Sequence, residues 1–156
     1  MFIRPLTPKD VLEFKAWRNP EQDSDLEYLL EVEIEEHYSG KRTLFVAELD
    51  GRLVGTLQLV YKHPDPAMAD GCKSAYLQAL EVHPNFRRRG LATFLLDRLE
   101  AEARRKRFSR LTLMVEPDNE AALKLYSKRG YKRFKQGQDS WQGQPYMALC
   151  LEKSLP

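Results

Sequence analysis

The sequence predicts an α/β fold: a mixed, mostly antiparallel sheet of about seven strands, with one parallel βαβ crossover at its centre and helices on both faces. Three observations carry this prediction. Strand-like and helix-like stretches follow one another in the order β-α-α-β-β-β-α-β-α-β-β. Asp50-Gly51, between two runs rich in Leu, Val, Phe and Thr, is a two-residue hairpin signal, because Gly tolerates the positive φ of a type I′ turn. A strand at 75–82, a helix at 90–107 and a strand at 110–115 make a βαβ unit, whose strands are parallel and whose crossover is right-handed.

Residues 2–5 form a short strand. Thr7, Pro8 and Asp10 take the N-cap, first-turn and capping-box places of a helix carrying Val11, Leu12, Phe14 and Ala16, which ends before Pro20. A second helix runs from about 24 to 37. Leu26, Leu29, Leu30 and Ile34 make its apolar stripe, and Glu27, Glu31 and Glu35 recur on another face. Strands at 43–49 and 52–61 flank the hairpin, and 62–73, with Pro64, Pro66 and Gly71, is a loop. Pro84-Asn85 ends the strand at 75–82. Leu91, Leu95 and Leu99, with Phe94, Leu96 and Ala103, give the third helix a broad apolar stripe. A short helix at 119–129 stops at Gly130, and strands at 131–135 and 146–152 close the chain.

A chain of 156 residues without repeat, linker or low-complexity tract reads as one domain, residues 1–156. Hydrophobic residues at 42% and charged residues at 31% exclude a disordered chain and a helical membrane protein, and no apolar run approaches about 20 residues. The opening Met1-Phe2-Ile3-Arg4-Pro5 lacks a charged-then-apolar leader, so a cytoplasmic location and no membrane partner are expected. Cys72 and Cys150 provide no disulfide framework, and His37, His63 and His83 suggest no metal site. Cys150 reads as a small buried side chain, Cys72 as a loop thiol.

Charge is distributed unevenly. Residues 1–50 carry 12 acidic against 6 basic side chains, and residues 51–110 carry 12 basic against 6 acidic. The basic middle suits an anion, and the acidic first third a cation. Glu27, Glu31 and Glu35 also read as the solvated face of an amphipathic helix. The second basic cluster, Arg104 to Arg107, lies at a helix C-terminus, where bases meet the dipole favourably. No nucleic-acid partner is expected.

Chemistry concentrates in Leu80-Glu81-Val82-His83-Pro84-Asn85-Phe86-Arg87-Arg88-Arg89-Gly90-Leu91-Ala92. A strand ends, a turn follows, and a helix begins at a glycine. The free N–H groups of the helix start and the positive end of its dipole form an anion site, and three arginines add donors around it. Arg87-x-x-Gly90-x-Ala92, preceded by Leu80-x-Val82-x-Pro84, resembles the acetyl-CoA signature of the GNAT superfamily of N-acetyltransferases. Asn119-x-x-Ala122-x-x-Leu125-Tyr126-x-x-x-Gly130-Tyr131 is similar to the second conserved helix of that family. Ile3-Arg4-x-Leu6-Thr7-x-x-Asp10 and Tyr146-Met147-Ala148-Leu149 also fit its members.

The resemblance implies the GNAT fold, with acetyl-CoA as acyl donor and an amine as acceptor. Backbone of Leu80 and Val82 would hold the pantetheine arm, and Arg87, Arg88, Arg89, Gly90, Leu91 and Ala92 the pyrophosphate. Asn119 would bind the cofactor from its helix start. A backbone N–H near Leu80 would stabilise the oxyanion, and Tyr126, near the thioester sulfur, would be the general acid. Some family members carry a carboxylate on the fifth strand, where this chain has Met114. Glu81 is then the first choice of base, with Glu116 behind it. Met114 also keeps a second reading open, a catalytically silent acyl-CoA sensor. Trp17, Tyr28, Tyr38, Trp141 and Tyr146 are candidates for an acceptor pocket. The resemblance is compatible with a homodimer.

Overall fold

The computed structural model describes residues 1–141 and 144–156, apart from the side chains of Asp139 and Trp141. The elements follow the predicted order: β1 (Phe2–Pro5), α1 (Val11–Arg18), α2 (Ser24–Ser39), β2 (Arg42–Leu49), β3 (Arg52–Val60), β4 (Ser74–Val82), α3 (Leu91–Arg105), β5 (Arg110–Val115), α4 (Glu120–Lys128), β6 (Lys132–Trp141) and β7 (Gln144–Ser154). The sheet has seven strands in the order β1-β2-β3-β4-β5-β7-β6. The β4–β5 pairing is parallel, with Ser74, Ala75 and Tyr76 opposite Arg110, Leu111 and Thr112. The chain forms two compact units, Met1–Val60 with Ala79–Glu102, and Tyr61–Gln78 with Ala103–Pro156.

In the first unit, Leu6, Phe14, Leu30, Ile34, Leu44, Val46 and Leu53 make one buried cluster beneath α1 and α2. The opposite face of β2 and β3 belongs to α3. A Cβ on Gly55 would stand 3.1 Å from Leu95 Cδ1 and 3.6 Å from the Ala47 Cβ, and Arg98 lies 5.2 Å over the Phe45 ring. Helices therefore cover both faces of this part of the sheet. The Asp50-Gly51 turn has φ of 52° and 78°, the two positive values that a type I′ hairpin requires. One step further, Ala47 faces Gly55 but Glu48 faces Leu53, so Val54 is the extra residue of a β-bulge.

Two local readings change. Residues 8–10 form a 3-10 turn ahead of α1 rather than its first turn. The Asp10 carboxylate accepts from the Thr7 N–H and hydroxyl, each at 2.8 Å. It also takes both Arg4 nitrogens, at 2.6 and 3.0 Å, and Arg4 reaches Glu48 at 2.7 Å. These bonds tie β1, the turn and β2 together. The two closing strands are also longer than the expected 131–135 and 146–152, because β6 runs to Trp141 and β7 starts at Gln144. Gln136, Gly137 and Gln138 have neither the apolar alternation nor the β-propensity of a strand; pairing with β7 holds them there.

In the second unit, the predicted loop is fixed at several points. The Asp70 carboxylate accepts from the N–H groups of Cys72, Lys73 and Ser74, which pull its pKa down to about 2. Thr112 donates to the Met68 carbonyl, Arg110 donates to the Ala67 carbonyl at 2.7 Å, and Lys135 pairs with Asp65. Tyr61 stacks on Phe108 at 5.6 Å. Cys150 is buried, as read from the sequence, and the loop thiol of Cys72 is exposed.

Candidate active site

β4 ends at Val82, and Pro84–Phe86 follows as one 3-10 turn. His83 Nδ1 accepts from the Asn85 N–H at 3.1 Å, and the ring meets Phe86 edge-on. The chain then reverses through two left-handed residues, Arg88 at φ 63° and Gly90 at φ 80°. Beyond them α3 begins, with the Phe94 N–H on the Gly90 carbonyl at 3.1 Å. The N–H groups of Leu91, Ala92 and Thr93 are therefore the opening donors of the helix. Gly90 is required for its φ rather than for space, since a Cβ there would meet only Phe94, at 3.7 Å.

The three arginines around this turn are all exposed, but they differ in placement. Arg89 lies 5.3 Å over the Phe86 ring. Arg87 turns back, and its Nε donates to the Val82 carbonyl at 3.1 Å. The Val82 backbone was expected to serve a ligand, and in this structure Arg87 occupies one of its two groups, the carbonyl. The Glu81 side chain, the first-choice base, is exposed.

Sequence reasoning missed a strained residue just upstream. Ala79 sits inside β4 at φ 56°, a region that costs a residue with a Cβ about 1–2 kcal/mol. Its carbonyl accepts from Thr56 Oγ1 at 3.3 Å. Alanine carries no sequence signal for positive φ, so only the structure reveals it.

In the second unit, Asn119 caps α4, and its Oδ1 accepts from the Ala122 N–H at 3.2 Å. Tyr126 is 6% exposed and meets Tyr131 edge-on at 5.5 Å. Burial pushes the phenol pKa up to about 12, so the group stays protonated at neutral pH. Glu116 and Tyr146, named separately from the sequence, line one cleft of about 810 Å³ with Asp118 and Met147. Met114 stands half-buried on β5, its Cε 3.8 Å from the position of a Cβ on Gly137.

Residues 10–131 match the sequence model of the acetyltransferase (GNAT) family. An acetyltransferase of Pectobacterium atrosepticum is 35% identical over 120 residues, covering 76% of this chain and 71% of the relative. This chain belongs to the GNAT acetyltransferase family. It is an acyltransferase, which sets aside the silent-sensor reading. The GNAT fold is also that of an N-acetyltransferase from Staphylococcus aureus Mu50, at a TM-score of 0.78 and 21% identity, covering 99% of this chain and 98% of that one. A GNAT acetyltransferase of Elizabethkingia anophelis, solved with acetyl-CoA bound, has a TM-score of 0.65 at 18% identity, with 99% and 97% coverage.

The remaining candidates divide by unit. Trp17 lines a cleft of about 760 Å³ in the first unit with Glu13, Arg52, His83 and Phe86. Tyr28 and Tyr38 are exposed on α2, and the Trp141 side chain lies outside the described residues. Glu27 and Glu31 face Lys15 of α1 at 2.9 and 3.3 Å, which favours the solvated-face reading of the acidic stripe. No helix among the described residues is long and apolar enough to cross a membrane.

Proposed function

We propose that this acyltransferase moves an acetyl group from acetyl-coenzyme A to a primary amine of a small molecule or peptide, by direct attack of the amine on the thioester. The observation that carries the reading is the turn at 87–90. Two left-handed residues deliver the chain into α3, whose first N–H groups have no partner within the helix, with three exposed arginines around them. Donors of that kind suit a diphosphate. The bound acetyl-CoA of the Elizabethkingia relative supports the same choice of donor.

The residue roles follow. The N–H groups of Leu91 and Ala92, with Arg87, Arg88, Arg89 and the Gly90 turn, take the pyrophosphate. Backbone of Leu80 and Val82 takes the pantetheine amides, and Asn119 contributes its Nδ2. Pantetheine at the Val82 carbonyl displaces Arg87 and releases its guanidinium toward the phosphates. The Leu80 N–H stabilises the oxyanion as the C–N bond forms. Glu81 accepts the proton that the attacking nitrogen loses. Tyr126 gives its proton to the sulfur as the C–S bond breaks. A phenol near 12 is a weaker acid than an ordinary thiol near 8.5, so this transfer is uphill on its own. Amide formation draws it forward, the phenolate regains a proton from water, and Glu81 releases to water the one it took. The reading places the protein in the cytoplasm, where coenzyme A thioesters are made and used.

The test is to incubate the purified protein with acetyl-CoA and a panel of amines, following free thiol and N-acetyl product together. Equal release of both is expected with at least one amine. A protein that does not bind acetyl-CoA ends the reading.

A further inference from the structure

We infer that Thr56 is a positioning residue for acetyl transfer: its hydroxyl, by holding the Ala79 carbonyl, aims the N–H of Leu80. The inference rests on the acetyl-transfer reading above and assigns a role to a β3 residue that no motif singles out.

Ala79 O and Leu80 N–H belong to one peptide group. That group is trans, since the described residues contain no cis peptide bond. In a trans peptide the carbonyl and the N–H point in opposite directions. Whatever fixes the carbonyl therefore fixes the N–H. Thr56 Oγ1 donates to that carbonyl at 3.3 Å from β3, which turns the Leu80 N–H away from β3. Thr56 is 1% exposed, so its hydroxyl is withdrawn from bulk water. A hydrogen bond at the carbonyl also polarises the peptide and makes its N–H a better donor to developing negative charge.

The neighbouring residues of β3 support the same segment. Gly55 allows close approach: a Cβ there would lie 3.2 Å from the Glu81 carbonyl oxygen. The Val54 carbonyl, displaced at the bulge, accepts from the His83 N–H at 2.8 Å. Val54 and Thr56 thus hold residues 79–83 by two hydrogen bonds, and Gly55 lets the strands approach closely between them. Ala79 is held at φ 56°, a conformation that persists only where surrounding contacts enforce it. Without the Thr56 bond, the peptide between 79 and 80 is the one released to rotate.

The experiment compares wild-type, Thr56→Val and Thr56→Ser proteins. Acetyl-CoA affinity is measured by calorimetry, and kcat with acetyl-CoA and whichever amine is turned over among spermidine, kanamycin and a peptide with N-terminal alanine. The Leu80 amide proton shift is recorded by NMR. Removing an oxyanion donor outright lowers kcat by roughly 100- to 1,000-fold, so loosening one is expected to lower it about tenfold. Thr56→Val should therefore lose about tenfold in kcat with acetyl-CoA affinity within about twofold, and its Leu80 proton should move upfield. Thr56→Ser should restore both. An unchanged kcat in Thr56→Val, or no rescue by Ser, overturns the role of Thr56 while leaving acetyl transfer standing. A wild-type protein that releases no coenzyme A with any of the amines overturns the acetyl-transfer reading first.

Discussion

At the scale of single residues, burial and hydrogen bonding set what each group does. Tyr126 is almost fully buried and therefore a neutral phenol throughout the physiological range. Tyr126→Phe keeps the ring and removes only the proton donor. Its kcat should fall about 100-fold while acetyl-CoA affinity stays within about twofold, measured by steady-state kinetics and calorimetry. Asp10 predicts an acid effect. The Arg4 hydrogen bond is the largest cause holding its carboxyl well below the ordinary carboxylate value, and the Thr7 bonds add to it. A depressed folded-state pKa contributes stability that is complete above about pH 4–5 and is lost as pH falls toward the folded value. Asp10→Asn should therefore cost about 3 kcal/mol at pH 7 by denaturant melts, with less difference from wild type at pH 3. Asp10 was legible in the sequence from its capping spacing, and Tyr126 was singled out by the family motif around it. Ala79 was not, because neither periodicity nor propensity marks an alanine for a left-handed φ.

At the scale of elements, the hairpin, the parallel crossover and the arginine turn followed directly from patterns of known period and turn chemistry. The β6–β7 hairpin was cut short because Gln136 to Ser140 is polar and owes its strand conformation to pairing across the ladder. Gly55 is the element-scale counterpart of Ala79, a strand glycine required by close approach rather than by φ. A Cβ there would lie 3.1 Å from Leu95 Cδ1 and 3.2 Å from the Glu81 carbonyl, and the backbone oxygen has little room to retreat. Gly55→Ala should destabilise by about 1–2 kcal/mol, read as a fall of a few degrees in Tm. A rise in Tm would show that β3 and β4 separate freely at this point.

For the whole molecule, the uneven charge along the chain separates into two causes. The acidic first third is partly spent on ion pairs, from Lys15 to Glu27 and Glu31 and from Arg42 to Glu36. The basic turn at 87–89 lies exposed at the start of α3. Fold and family were legible because the matched motifs extend over most of the chain, residues 10–131. The acceptor was not, because no motif or spacing in the chain marks the residues that would meet an amine. The central claim is that the turn opening α3 holds the pyrophosphate of coenzyme A. Calorimetric titration of wild-type and Gly90→Val proteins with coenzyme A and with pantetheine, which lacks the diphosphate, tests it most directly. A side chain at Gly90 opposes the φ of 80° that sets up the helix start. The wild type should bind coenzyme A at least about tenfold more tightly than pantetheine, and Gly90→Val should bring the two close to equality. Equal affinity for both ligands in the wild type would contradict the account.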